Sequence, residues 1–198
     1  MKPNEILNQQ GAILIKDVLN KELCAFLSHC LMRSSLYKNG IQDDDQVQGS
    51  LGILDHEVTF ETAHEKIWPA LELVLEEELI PTYSYARLYT NGNVLEKHTD
   101  RPSCEVSVTV QLARSHHYAW PIYMGNQRFD LGEGDGVIYK GCDIEHWRDK
   151  CDGPENYVSG QAFFHFVKKK GNNAEWKNDK RIIQNFYMRN RNYIFEGK

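Results

Sequence analysis

The chain has 198 residues, of which 41% are hydrophobic and 26% charged, and its net charge is −5. These values are typical of a single globular domain and exclude a low-complexity chain. No apolar run approaches the roughly 20 residues of a membrane span, and the N-terminus lacks the apolar core of a signal peptide. The five cysteines form no CxxC pair, so we expect reduced thiols, a cytoplasmic protein and no cysteine-based zinc site.

The first part of the chain, about residues 1–82, is predicted to be mainly helical. GAILIKDVL begins as an apolar strand, and Asn20 is a suitable N-cap for a helix over KELCAFLSHCLMRSSLY, whose apolar residues recur at helical spacing. The polar stretch NGIQDDDQVQGSLG is predicted to be a surface loop.

A second helix is predicted over HEKIWPALELVLEEEL. Thr62 and Glu65 fit a capping box at its start, Pro69 predicts a kink or a restart, and Pro81 is expected to end the helix. The histidines of this part are interpreted as surface or edge residues without a special role: His29, His56 and His64.

From Tyr83 to about residue 167 the hydrophobic period changes to two. YSYARLY, VSVTVQL, AWPIYM, GVIYK and NYVSGQAFFHFV are predicted strands, separated by turns such as TNGN and GEGDG. Strands at short spacing after a helical part predict an α+β domain over 1–198, with a sandwich or a barrel-like double sheet and helices packed on one face.

The last part, residues 168–198, is a basic extension. It holds nine Lys or Arg against three Asp or Glu, which leaves the rest of the chain at −11. Such a segment can bind nucleic acid or an acidic partner, but we favour a solvated tail or one that folds back on the protein's own acidic body. It does not interleave aromatic and basic residues as a nucleic-acid platform would, so nucleic acid is not an expected partner.

The stretch LEKHTDRPSCE contains a candidate metal site. Residues two apart in a strand point to the same face, so His98 and Asp100 project together. A third ligand must come from elsewhere. His165 lies inside the apolar strand FFHFV, and His146, which follows a GDG turn and the strand GVIYK, is the best candidate. His116 and His117 are interpreted as loop residues. Two histidines and one carboxylate suit non-haem Fe(II), with zinc as the chemical competitor.

These residues resemble a known family, the Fe(II)/2-oxoglutarate-dependent dioxygenases. His98-Thr99-Asp100 followed by His146 is similar to the HxD…H signature of that family. Tyr89 and Gly92 precede it as in the prolyl-hydroxylase-like branch, and GDGVIY resembles the turn and strand before the second histidine. The likeness covers about residues 85–167.

The resemblance implies a double-stranded β-helix (a jelly-roll or cupin-like core) with Fe(II) held by His98, Asp100 and His146. It also implies a reaction in which 2-oxoglutarate and O2 are consumed, succinate and CO2 are released, and an unactivated C–H bond is hydroxylated. The small size and the prolyl-hydroxylase-like spacing favour a protein or peptide side chain, or a free amino acid, as the substrate.

One departure from the family concerns the far carboxylate of 2-oxoglutarate. The family usually binds it with an Arg or Lys on the last core strand, where this chain has Gln161, with His165 on the same face. Tyr89 and Arg101 are further candidates for binding the co-substrate. Other cations that could supply the missing charge are Arg87, Lys140 and Arg148.

Two other functions are compatible with the sequence. The absence of the usual Arg or Lys favours a metal-binding module of the same fold without catalysis. A zinc hydrolase would need a general base such as Glu96 or Glu105 beside a metal-bound water. In a regular strand Glu105 would face away from His98, which weakens the hydrolase hypothesis.

Overall fold

The computed structural model describes residues 1–37, 41–42, 46–55 and 57–181. Its α-helices are α1 (Pro3–Gln10), α2 (Lys21–Tyr37) and α3 (Val58–Leu75), and short 3-10 segments cover Pro102–Cys104 and Ala174–Lys180. Its strands are β1 (Ala12–Ile15), β2 (Ile41–Gln42), β3 (Ser50–Asp55), β4 (Leu79–Thr90), β5 (Leu95–His98), β6 (Val106–Arg114), β7 (Ile122–Met124), β8 (Gln127–Phe129), β9 (Gly136–Tyr139), β10 (His146–Arg148) and β11 (Val158–Lys168). Within these ranges, every helix is too short or too polar to cross a membrane.

The strands form two antiparallel sheets. The larger sheet has the order β1-β9-β6-β11-β4-β3-β2, and the smaller has the order β5-β10-β7-β8. The prediction of a mixed domain, with helices before a β-rich core, is therefore confirmed.

The alternation of residues along the strands of the larger sheet separates two environments. On β6, Val106, Val108 and Val110 pack into the main core together with helices α2 and α3. Ser107 and Thr109, at the intervening positions, are buried on the opposite face. Because successive side chains of a strand point to opposite faces, the helices cover one face of this sheet and the polar residues point to the other.

The predicted start of α2 is confirmed. The helix begins at Lys21, and the Asn20 side-chain oxygen accepts a hydrogen bond from the backbone N–H of Leu23 at 2.8 Å. The amide oxygen thus satisfies one of the N–H groups that have no partner within the first turn of a helix.

The predicted start of α3 is wrong. The helix begins four residues before Thr62, at Val58, and its N-cap is Glu57, whose carboxylate accepts from the backbone N–H of Thr59 at 2.8 Å. The Thr62 hydroxyl instead donates to the Val58 carbonyl inside the first turn, at 2.8 Å. A side chain that bonds to the carbonyl four residues back is already within the helix and cannot cap it.

The restart predicted at Pro69 does not occur, and Pro81 does not end the helix as predicted. The helix continues through Pro69 without a restart and ends at Leu75, after which Glu76 adopts a left-handed conformation. Pro81 lies within strand β4 rather than at a helix end. It lies opposite Phe166, beside the irregularity in β11 between His165 and Phe166. Proline is tolerated there because a bulge interrupts the regular ladder of hydrogen bonds.

The stretch predicted as a loop between α2 and α3 lies partly outside the described residues. Within the part that is described, Ile41 and Gln42 pair with Leu51 and Ser50 as an antiparallel ladder. The segment therefore adds β2 and β3 to the edge of the larger sheet beside β4.

The basic segment lies against acidic residues as far as residue 181. Lys169 bonds to Glu78 at 2.9 Å, and the Arg181 guanidinium lies 3.3 Å from the Glu61 carboxylate and donates to the Thr82 carbonyl at 2.6 Å. Residues 178–180 all have left-handed backbone conformations, with φ of 53°, 53° and 57°. This segment packs against β4 and the 3-10 segment Pro102–Cys104.

The prediction that His64 is a surface or edge residue is wrong. It is 2% exposed on the apolar face of α3, with its ring 4.3 Å from that of Phe166 and 5.7 Å from that of Phe164. Burial, with a smaller contribution from His165, lowers the pKa of His64 to about 3. His64 is therefore neutral in the folded protein at neutral pH.

We predict that His64 makes folding sensitive to acid. The pKa of His64 is about 3 in the folded protein and 6.5 as the ordinary value, so the unfolded chain takes up the proton more readily. Stability is then complete above pH 6.5 and falls as the pH decreases, by about 3 kcal/mol between pH 6.5 and pH 4. In His64→Leu this part of the loss should disappear, as measured by urea unfolding at each pH. Substitution of the exposed His29 by Leu is the control, and an equal pH dependence in both variants would contradict the prediction.

Candidate metal centre and cavity

Two histidines from distant parts of the chain face each other in the smaller sheet. His98 is the last residue of β5 and His146 is the first residue of β10, and the two are directly paired in the antiparallel ladder. Their ring centroids are 4.2 Å apart. Strand pairing thus brings together two metal-ligating side chains that are 48 positions apart in the sequence.

Both imidazole rings are oriented by backbone carbonyls. His98 Nδ1 lies 2.6 Å from the Glu96 carbonyl oxygen, and His146 Nδ1 lies 3.0 Å from that of Ile144. A carbonyl oxygen can only accept a hydrogen bond, so each Nδ1 carries the proton and each Nε2 has a lone pair available. This arrangement fixes the tautomer that histidine ligands of metals use.

Asp100 completes the group. Its Oδ1 lies 3.7 Å from His98 Nε2 and 3.4 Å from His146 Nε2. The backbone N–H of Asp100 donates to the Gly141 carbonyl at 2.8 Å, which holds the residue beside the turn that leads to His146. A Cβ at Gly141 would collide with the Asp100 carboxylate and the Cys104 carbonyl, so this close approach requires glycine.

The protonation states also suit a cation. Burial, followed by the neighbouring His146, lowers the pKa of His98, which keeps its imidazole neutral. Burial alone would raise the pKa of Asp100, but the hydrogen bond and charge of His146, with His165 and His98, bring it below its ordinary value. Two imidazoles and one carboxylate are the ligands predicted from the sequence, and the three ligating atoms lie within 4.8 Å of one another.

A cavity of about 510 Å³ opens beside these three residues, between the two sheets. Its wall on the larger sheet comes from alternate residues of β4 and β11. The cavity is lined by Gln46, Tyr83, Tyr85, Arg87, Tyr89, Leu95, His98, Thr99, Asp100, Arg101, Cys104, Ile122, Tyr139, His146, Phe163 and His165. A metal held by His98, Asp100 and His146 would lie beside a space large enough for a small organic acid.

Arg87 places a buried positive charge in this wall. It is 2% exposed and lines the cavity, and it donates hydrogen bonds to the Tyr85 hydroxyl and, at 3.5 Å, to the Tyr89 hydroxyl. From the sequence, Arg87 is only one of several cations that could reach the co-substrate. The alternation of YSYARLY is the signal that places Tyr83, Tyr85, Arg87 and Tyr89 on one face.

Three of the four residues predicted to bind the co-substrate line the cavity, and one does not. Tyr89 is fully buried in its wall and His165 is 5% exposed. Arg101 is at the rim, where it pairs with Asp179 at 2.9 Å. Gln161 does not line the cavity; its amide nitrogen donates to the Gln111 side-chain oxygen at 2.5 Å. Burial lowers the pKa of His165 to about 4, so His165 does not supply a positive charge at neutral pH.

The other residues weighed in the sequence lie away from the cavity. Lys140 does not line it, and Arg148 is buried behind its wall, where it donates to the Trp120 carbonyl at 2.5 Å. His116 and His117 lie in the connection between β6 and β7, as predicted.

The structure offers little support for a hydrolytic base beside the metal site. Glu96 is exposed, and the Glu105 carboxylate accepts from the Lys168 backbone N–H at 3.0 Å. Among the described residues, the cavity lining contains one carboxylate, that of Asp100 itself. Neither glutamate proposed for the hydrolase is positioned to activate a metal-bound water.

No family model and no curated protein sequence matches the chain. Solved structures do match it. A 2OG-Fe(II) oxygenase family oxidoreductase from Burkholderia pseudomallei is 13% identical, with a TM-score of 0.64, and the match covers 86% of this chain and 91% of that one. The chain has the fold of the 2OG-Fe(II) oxygenases.

Two further structures of this oxygenase fold were solved with ligands. A viral collagen prolyl hydroxylase from Paramecium bursaria Chlorella virus-1, in a 2OG complex, is 11% identical with a TM-score of 0.57, and the match covers 81% of this chain and 99% of that one. A prolyl hydroxylase from Trichoplax adhaerens, in complex with a hypoxia inducible factor peptide, is 12% identical with a TM-score of 0.58. This match covers 82% of this chain and 86% of that one.

We predict that iron retention depends on Asp100. Asp100→Ala removes the only negative charge of the His98, Asp100 and His146 group, so Fe(II) affinity should fall by about 100-fold or more. Anaerobic titration with Fe(II), followed by measurement of the iron retained after desalting, checks this. Asp143→Ala, at an exposed acidic residue of the nearby turn, is the matched control. An Asp100→Ala protein that binds iron as tightly as the parent would remove Asp100 from the site.

Proposed function

We propose that this protein is an Fe(II)/2-oxoglutarate-dependent oxygenase that hydroxylates an unactivated C–H bond. The observation that carries the proposal is the group formed by His98, Asp100 and His146 at the wall of a cavity of about 510 Å³. We also propose that the two antiparallel sheets form the double-stranded β-helix that the sequence resemblance implies. The shared fold of the solved oxygenases supports both proposals.

The donor atoms fit the proposed metal. Two imidazole nitrogens and one carboxylate oxygen suit Fe(II) that must leave positions for a co-substrate and O2. When bound, the iron with 2-oxoglutarate and O2 supplies the oxidation of the C–H bond, with release of succinate and CO2. The protein's own contribution is to orient both imidazoles through the Glu96 and Ile144 carbonyls and to keep Asp100 ionised.

Arg87 is our candidate for binding the far carboxylate of 2-oxoglutarate. It is buried, it lines the same cavity as the metal ligands, and a guanidinium can bind a carboxylate through two parallel hydrogen bonds. Tyr89, whose hydroxyl lies 3.5 Å from Arg87 Nη1, can contribute a further hydrogen bond. In this proposal Arg87, on β4, performs the role that the family gives to an Arg or Lys on the last core strand. That strand is β11 in this chain, and it has Gln161, the direct partner of Arg87, at the corresponding position.

His165 and Arg101 are then proposed to play secondary roles in co-substrate binding. His165 lies beside Tyr83, with ring centroids 4.5 Å apart, and can donate or accept a neutral hydrogen bond at the cavity wall. Arg101 is half-exposed at the rim of the cavity. We propose that an incoming substrate passes this residue.

The proposed substrate is a protein or peptide side chain, or a free amino acid. The Trichoplax adhaerens neighbour, solved with a peptide, supports a peptide substrate for a domain of this shape. The proposed location is the cytoplasm, which the five free cysteines support because reduced thiols persist there.

The test of the function is anaerobic reconstitution with Fe(II), followed by 2-oxoglutarate. A chelate at the proposed site should give a weak visible metal-to-ligand charge-transfer band, and admission of O2 should then yield succinate. The same titration with Asp100→Ala is the negative control. If the parent retains iron but gives neither the band nor succinate, the protein is the non-catalytic metal-binding module instead.

The role of Arg87 has a separate test. Arg87→Gln should weaken 2-oxoglutarate binding by about 10- to 100-fold, because a charged hydrogen bond to a carboxylate contributes about 1.5–3 kcal/mol. Arg87→Lys should weaken it less, since it keeps the charge but loses the paired donors. The anaerobic charge-transfer band reports the affinity, and unchanged Fe(II) binding shows that the site is folded.

Arg101→Gln is the matched variant for this test, because it removes a guanidinium at the cavity rim instead of one in the buried wall. We expect its 2-oxoglutarate affinity to stay within about threefold of the parent, as for an exposed charge. A large loss in Arg101→Gln with parental affinity in Arg87→Gln would reverse the assignment.

A further inference from the structure

A second group of metal-ligating atoms lies beside the first. Cys104 ends the 3-10 segment Pro102–Cys104, its side chain is 2% exposed, and it lines the cavity. The Cys104 sulfur, a carboxylate oxygen of Asp100 and a ring nitrogen of His165 all lie within 4.8 Å of one another. None of the functions considered above uses the Cys104 thiol.

Asp100 stands between the two groups and has an oxygen for each. Its Oδ1 faces His98 and His146, at 3.7 and 3.4 Å. Its Oδ2 faces the Ser107 hydroxyl at 3.5 Å, and the same hydroxyl lies 2.8 Å from His165 Nδ1. The carboxylate therefore connects His98 and His146 on one side with the residues around His165 on the other.

Although the cysteine spacing predicts no cysteine-based zinc site, we propose that Asp100, Cys104 and His165 form a second cation site, specific for a thiophilic divalent ion of the Zn²⁺ and Cd²⁺ class. Cysteine sulfur, imidazole nitrogen and carboxylate oxygen are three zinc ligands of proteins, and all three residues here line the cavity. A thiolate favours such ions over the hard cations that prefer oxygen alone. On binding, the Cys104 thiol loses its proton to solvent and the sulfur forms the bond to the metal.

The site has a regulatory consequence, because both groups use Asp100. A cation bound by Cys104 and His165 would share the Asp100 carboxylate with Fe(II) bound by His98 and His146. The two positive charges would also repel each other. Occupancy of one site should therefore weaken the other by the same factor in both directions. The inference does not rest on the proposed oxygenase activity.

Cd²⁺ is a suitable probe because cadmium–thiolate bonds absorb in the ultraviolet, whereas His98, Asp100 and His146 contain no sulfur. One equivalent of Cd²⁺ added to the metal-free full-length protein should give this charge-transfer band. His98→Ala should keep the band, and Cys104→Ser should lose it. His165→Ala should weaken Cd²⁺ binding. Fe(II) binding by Cys104→Ser, measured in parallel, shows that this variant is folded.

The controls are two other thiols of the chain. Cys142→Ser alters a half-buried thiol near the site, which donates to the Arg101 carbonyl at 3.3 Å, and Cys30→Ser alters one on α2. Both variants should keep the cadmium band. One equivalent of Cd²⁺ should weaken Fe(II) binding to the parent more than to Cys104→Ser, where Cd²⁺ can compete only at His98, Asp100 and His146.

The proposal is overturned if the parent shows no cadmium–thiolate band, or if the band survives in Cys104→Ser. It is equally overturned if the band disappears in His98→Ala, in Cys142→Ser or in Cys30→Ser, because the ion would then be bound elsewhere. These readouts require neither 2-oxoglutarate nor turnover. A failure of this inference is thereby distinguishable from a failure of the proposed oxygenase activity.

Discussion

The position of the candidate metal centre depends on the antiparallel register between β5 and β10. In that register His98 and His146 are direct partners. Because the side chains of a strand alternate between its faces, a slip by one residue would turn one of these histidines out of the cavity. The Asp100 N–H that bonds to the Gly141 carbonyl helps to fix the register from the adjoining loops, and it requires the glycine at position 141.

The alternation of side chains also explains why one face of the larger sheet packs in the hydrophobic core while the other lines a polar cavity. On β4, Ala86 and Leu88 face the main core, whereas Arg87 and Tyr89 line the cavity. The helices α2 and α3 supply the apolar cover on one side, so the other side is available for buried polar groups. The cost of burying Arg87 is offset in part by its hydrogen bonds to the Tyr85 and Tyr89 hydroxyls.

Much of the fold and of the candidate metal centre could be predicted from the sequence, because the sequence patterns that indicate them are local. The period-two runs gave the strands of the core, Asn20 marked the start of α2, and the spacing of His98 and Asp100 placed both residues at one point. What could not be predicted depended on tertiary contacts. Glutamate is an uncommon N-cap, so Glu57 carried no signal, and the bulge that accommodates Pro81 involves β11, about 85 residues later.

The sequence also could not predict which residues on the cavity side of the larger sheet line the cavity itself. Gln161 and Arg87 are direct partners across β11 and β4, yet Gln161 bonds to Gln111 while Arg87 reaches the cavity. His64 is different, since a readable signal existed. It follows Phe60 by four positions and precedes Ile67 by three, so it lies on the apolar stripe of α3.

The contact between Arg101 and Asp179 ties the cavity to the end of the described chain. Arg101 lies over the Tyr83 ring at 4.6 Å and pairs with Asp179, which belongs to three consecutive residues in left-handed conformations. Such conformations are costly for residues other than glycine and persist only where other contacts hold them. Arg101 therefore contributes both to the rim of the cavity and, through Asp179, to the anchoring of residues 174–181. Loss of the Arg101 guanidinium would therefore also remove an ion pair that helps to hold these left-handed residues in place.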